Sequence, residues 1–229
     1  MNVNDTEAQH ESQEERVRVA AGAVTLDGLL YIPERAHGVV IISHGSVNSL
    51  ENEQDRALAA LLNESGLTAL LLNPLTPDEL TLDRETSFFD TNINLLGQRI
   101  VGAANWLQEH TSTRNLAIGC LGIGAGVGAA IFAAAERPDL FDAIVTGAGR
   151  LDFARDYLHM VQSPALVLVG EQQDQTGEIN RASLQQLQGE TKLETIGGSG
   201  DFMAGDSAAL QQAARLACDW FNSHLRPIQ

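Results

Sequence analysis

The chain has 229 residues, 44% of them hydrophobic, and sets 30 acidic side chains against 14 basic ones, for a formal charge of −16 at pH 7. That length suits one large domain with a well-buried core. The negative excess repels nucleic acid and anionic lipid at long range, so neither is an expected partner.

Met1 to Glu15 are polar and carry Asp5, Glu7, Glu11, Glu14 and Glu15 without a single Lys or Arg. A secretory signal needs the reverse, a basic start and an apolar middle. The segment reads as a disordered acidic tail, residues 1–15, ahead of a folded domain, residues 16–229. No apolar run approaches the roughly 20 residues needed to cross a bilayer, and the expected location is the cytoplasm. From Arg16 the pattern becomes regular. Val17 to Ala20 and Val24 to Ile32 read as two strands joined through Gly22, an antiparallel hairpin ended by Pro33.

Unbroken apolar runs follow at Val39 to Ser43, Thr68 to Leu72, Leu116 to Leu121, Ala143 to Thr146 and Ala165 to Val169, with a weaker one at Leu193 to Ile196. Such runs fit strands buried on both faces, as parallel sheets demand. Between them lie helical segments: Glu53 to Ser65, Ile93 to Glu109, Ala125 to Glu136, Phe153 to Met160, Glu178 to Leu187 and Ala208 to His224. In the last, Leu210, Ala213, Ala214, Ala217 and Phe221 share one face. The alternation predicts an α/β fold, a doubly wound, mostly parallel sheet with an N-terminal antiparallel hairpin and helices on both faces. Asn73 to Asp90, with Pro74, Pro77, several acids and the Phe88-Phe89 pair, reads as a long irregular excursion. Cys120, in a strand, and Cys218, in the last helix, match no metal or disulfide spacing and read as core residues.

In a doubly wound sheet, ligands bind beyond the carboxyl ends of the strands. Four segments lie there: Ser43-His44-Gly45-Ser46, Gly122-Ile123-Gly124-Ala125-Gly126, Gly170-Glu171-Gln172-Gln173-Asp174 and Gly198-Ser199-Gly200-Asp201. These are the places where α/β-hydrolases carry oxyanion hole, nucleophile, acid and histidine, in that chain order. From Arg16 to Leu225 the sequence resembles the dienelactone hydrolase-like branch of the α/β-hydrolases. The resemblance rests on the hairpin, the His44-Gly45-Ser46 turn, Leu75-Thr76-Pro77, the strand-turn-helix around Gly124 and the closing Ala217-Cys218-Asp219-Trp220-Phe221.

The resemblance implies an α/β-hydrolase fold whose nucleophile elbow, Gly-x-Ser-x-Gly in the family, retains Gly122 and Gly126 but has Gly124 in place of the serine. It aligns Asp174 with the family's acid and Asp201 with the family's histidine. An aspartate cannot shuttle a proton as an imidazole does. The elbow's strained backbone costs on the order of 1–3 kcal/mol for a residue with a side chain and little for glycine. Only His44 and His159 are expected near the carboxyl edge. Neither follows the eighth strand, so His44 is assigned to shaping the oxyanion turn and no imidazole is expected to reach position 124. Ser46 lacks a predicted base, and Cys120 belongs inside a strand.

Two further patterns are set aside. Gly124-Ala125-Gly126-Val127-Gly128-Ala129 fits a dinucleotide fingerprint, yet it does not open the domain and the next strand ends in Gly147-Ala148-Gly149-Arg150 without a ribose-binding acid. Glu171, Asp174, Asp201 and Asp206 match no cation loop, so neither cofactor nor metal is expected. What remains is an oxyanion hole made by His44, Gly45, Ser46 and Ala125, an anion or carbonyl site without a nucleophile.

The expected function is non-catalytic binding of a small acyl, lactone or aromatic ligand, by a monomer or homodimer. The alternative is a hydrolase or lyase with altered chemistry, Asp201 or Asp174 acting as general base beside the oxyanion hole at Ser46 and Ala125. A third is an interaction protein with a vestigial pocket.

Overall fold

Gly22 adopts φ +66°, a left-handed conformation that costs glycine nothing for want of a Cβ. It turns β1 (Gln13–Ala21) back along β2 (Val24–Ile32). The computed structural model describes residues 13–45, 48–89, 92–172, 174–198, 203 and 206–225, and of Asp174 the backbone alone. The two strands pair antiparallel from Gln13↔Ile32 to Ala21↔Val24. β1 takes in Gln13, Glu14 and Glu15, which the sequence reading left outside the first strand: they face Ile32, Tyr31 and Leu30 and find backbone partners along that strand. The rest of the expected tail lies outside the described residues.

Six more strands complete one sheet: β3 (Gly38–Ser43), β4 (Leu67–Leu72), β5 (Ala117–Ile123), β6 (Ala143–Gly147), β7 (Ala165–Gly170) and β8 (Thr191–Ile196). Their order is β1-β2-β4-β3-β5-β6-β7-β8. β2 meets β4 antiparallel, and every pair from there on is parallel. The five strands β3 to β7 are buried at every position, because helices cover both faces. One apolar core lies under α3 (Ile93–Glu109), α4 (Gly126–Glu136) and the end of α5 (Asp174–Leu184). The other lies under α1 (Glu53–Glu64) and α6 (Ser207–His224), whose Leu210, Ala213, Ala214, Ala217 and Phe221 are buried as their spacing requires.

Two segments differ from the sequence reading. The excursion Asn73 to Asp90 contains a helix, α2 (Pro77–Thr86), begun by a capping box in which Thr76 and Glu79 each satisfy the other's backbone amide, with proline in the first turn. The stretch Phe153 to Met160 is two short 3-10 turns, Leu151–Ala154 and Leu158–Met160. Leu151, Ala154 and Leu158 are buried at helical spacing, so apolar periodicity alone cannot separate the two backbones. Among the described residues no helix is long and apolar enough to cross a membrane.

Candidate functional site

The parallel register of β3 and β5 sets Ser43 opposite Gly122, so the turns that leave these strands lie side by side. In the β5–α4 turn, Gly124 has φ +57°. Its amide donates to the Gly147 carbonyl at 3.1 Å and its carbonyl accepts from Val127 at 3.2 Å. The neighbouring glycines answer to contact instead. A Cβ on Gly122 would stand 2.6 Å from the Gly126 carbonyl oxygen and 2.8 Å from the Ala130 Cβ. One on Gly126 would overlap the Ser43 carbonyl oxygen, and one on Gly149 the Gly124 carbonyl oxygen. At Gly124 itself the only side chain that a Cβ would meet among the described residues beyond its chain neighbours is the His44 ring, 3.5 Å from Cδ2 and 3.6 Å from Nε2. Flanking glycines are therefore demanded by packing, whereas the central one is demanded by backbone conformation alone.

That ring overturns the expectation that no imidazole reaches position 124. His44 Nδ1 lies 2.9 Å from Asp55 Oδ1, with the histidine side chain 19% exposed and the aspartate 0%. A carboxylate can only accept, so Nδ1 donates and, in the neutral ring, the lone pair falls to Nε2, the ring nitrogen 3.6 Å from where a Gly124 Cβ would be. Asp55 Oδ2 has no hydrogen-bond partner among the described residues. Asp55 sits in the first turn of α1, where its own amide is capped by Asn52 at 2.9 Å. It shares a buried face with Leu58, Ala59 and Leu62. An acid on the apolar stripe of a helix is the signal by which the sequence marks it.

The other expected residues divide. Ala125 is the N-cap of α4 and brings no side-chain cap, so first-turn N–H groups and the helix dipole favour partial negative charge there. Gly45, at φ +53°, brings its amide nitrogen within 2.9 Å of where a Gly126 Cβ would be. Asp174 opens α5 directly beyond β7. Ser46, Asp201 and the side chain of Asp174 lie outside the described residues. The helix that begins at Asp174 is moored by the buried Asn180, which donates to the Gly149 carbonyl and accepts from the Leu151 amide, both at 3.0 Å. Asp206 caps α6, accepting from Ala208 and Ala209 at 3.1 and 3.2 Å. His159 is exposed in its 3-10 turn. Burial pushes the Cys120 thiol up to about 12, so it is protonated and inert at neutral pH.

No family model matches the chain. Among solved structures it is similar to a dienelactone hydrolase of Anabaena variabilis, at 38% identity and a TM-score of 0.90, over 95% of this chain and 100% of that one. The chain belongs to the dienelactone hydrolase family. A dienelactone hydrolase-like promiscuous phosphotriesterase from metagenomic libraries shares the fold, with a TM-score of 0.73 at 17% identity over 93% of this chain. A Mycobacterium tuberculosis protein named for phosphoribosyl transferase activity, found in two strains, is 34% identical over 221 residues, 96% of this chain and 49% of its own length. This dienelactone hydrolase family chain thus spans about half the length of the curated relatives it matches.

Proposed function

We propose that this member of the dienelactone hydrolase family binds a small acyl, lactone or aromatic ligand at the β5–α4 turn without forming a covalent acyl intermediate. In this reading Gly124 holds the nucleophile position, Asp174 the acid's, and Asp201 stands where the base histidine belongs. One observation carries it: the turn has the left-handed backbone of an elbow, with Gly122, Gly126 and Gly149 packed against it, yet no side-chain oxygen or sulfur projects from its centre. Catalysis by acyl transfer needs that atom. In this reading the amides of Ala125 and Gly45, with the Ser46 that follows, receive a carbonyl oxygen. The transferase name of the longer relatives belongs, in this reading, to the half that this chain does not match. Among the described residues outside positions 123–125, the only atoms within 4 Å of a Cβ on Gly124 are those of an imidazole, and no Lys or Arg atom of those residues stands there for a diphosphate.

Incubation with p-nitrophenyl acetate followed by intact-mass measurement should leave the protein unmodified. Calorimetric titration with small lactones and aromatic acids should give saturable binding to at least one of them. A covalent adduct, or no saturable binding across the panel, would overturn the reading.

A further inference from the structure

The ligand site just described uses backbone groups and leaves one pair of side chains without a task. Asp55 is fully buried on an apolar helix face and makes one side-chain hydrogen bond among the described residues, to His44 at 2.9 Å. Burying a carboxylate for the sake of one bond is costly. What that bond does is hold the imidazole in one tautomer and one orientation, as a buried aspartate does for a catalytic histidine. The orientation sets Nε2 3.6 Å from where position 124 would carry a Cβ, and among the described residues outside positions 123–125 only the His44 ring comes within 4 Å of that point.

We propose that His44 and Asp55 form an acid–base pair addressed to the space over Gly124, where Nε2 takes the hydroxyl of a water or of a hydroxyl-bearing ligand. This rests on the ligand sitting at the β5–α4 turn. The histidine comes from the turn after β3 and the carboxylate from α1, not from the segments after β8 and β7 that the hydrolase pattern uses. A hydroxyl held there occupies the volume that a serine side chain would fill, and glycine leaves that volume free.

The pair is tested by supplying the hydroxyl covalently. A Gly124→Ser variant puts an oxygen one bond beyond the Cβ position, within reach of Nε2 in a staggered rotamer. With p-nitrophenyl acetate, the hydroxyl proton passes to Nε2, the oxygen bonds to the carbonyl carbon, and p-nitrophenolate leaves. Intact mass should show one acetyl group per chain. The acylation rate should fall about 10²- to 10⁴-fold when His44→Ala is added and should also fall with Asp55→Asn, whereas replacing the exposed His159 leaves it unchanged. Acylation indifferent to His44, or controlled by Asp201→Asn instead, would overturn the proposal.

Should that variant fail to fold, imidazole ¹⁵N NMR of the unmodified protein reads the same pair: Nδ1 protonated and Nε2 bare, a preference lost in Asp55→Asn. An Nε2-protonated neutral ring would sink the proposal. Methyl lactate against methyl propionate separates the two sources of hydroxyl. Tighter binding of the lactate, lost in His44→Ala, assigns the hydroxyl to the ligand. Equal binding with Nε2 shifted by both assigns it to water, and binding that leaves Nε2 untouched overturns the pair. His44-dependent acylation of Gly124→Ser in a protein that binds no ligand would instead remove the binding function and leave the pair standing.

Discussion

Two stretches of the sheet's carboxyl edge are held in place by opposite means. The turn after β5 is fixed by backbone against backbone, with Gly122, Gly126 and Gly149 each filling a site too small for a Cβ. The excursion after β4 is fixed by charge. Arg99, buried in α3, donates to Glu79 at 2.5 and 2.7 Å and to the Pro74 carbonyl at 2.6 Å, and the same carboxylate accepts from the Thr76 amide at 2.8 Å. The first region tolerates no added atom except at its centre, whereas the second tolerates no lost charge. A site can therefore lose its reactive side chain while the shape around it persists, because that shape never depended on the side chain.

The largest effect should come from breaking the charged anchor. Arg99→Met takes the guanidinium away from Glu79 and the Pro74 carbonyl and is expected to cost about 3–5 kcal/mol, seen as a lower urea midpoint at unchanged slope. Next comes the crowded turn. Gly126→Ala must push the ends of β3 and α4 apart, at about 3 kcal/mol, and Gly149→Ala should behave alike for the contact between the β6 end and Gly124.

Acid sharpens the contrast, since the charged anchor titrates and the glycine backbone of the turn does not. The hydrogen bond from Arg99 outweighs the opposing effect of burial and, with the lesser backbone bond at Thr76, lowers the Glu79 carboxyl from 4.5 to about 2. A folded value below the unfolded one means that its stabilisation is present above pH 4.5 and is lost as pH falls toward 2. Thermal melts across that window should show wild type losing more stability than Glu79→Gln, and parallel losses would refute the assignment. The smallest effect belongs to Gly124→Ala. The added methyl makes an ordinary contact with the His44 ring and no closer one among the described residues, so its cost is that of the left-handed backbone, about 1–2 kcal/mol, less than the same change at Gly126 in the same denaturation assay.

The parallel strands were legible because β3 to β7 are buried on both faces, which writes continuous apolar runs into the chain. The helix α2 is also written locally, in Thr76, Pro77 and Glu79, although prolines and acids in that stretch read as loop. The 3-10 turns at Leu151–Ala154 and Leu158–Met160 were not legible, since burial at three- and four-residue spacing serves either helix. At the site, Gly124 and the His44 turn could be found from their places after strands. Asp55 carried a mark, an acid on an apolar stripe, but not its role, because an acid in a helix's first turn ordinarily serves the helix dipole.

Sequence by itself determined that nothing nucleophilic projects from position 124, for glycine has no side chain in any fold. Which imidazole faces that position was decided by tertiary structure alone. The register that sets Ser43 opposite Gly122 brings His44 beside Gly124 from far along the chain, and the packing of α1 on the sheet delivers Asp55 to its ring. Local pattern records which residues are buried, but a contact between distant segments exists only once the sheet has chosen its strand order.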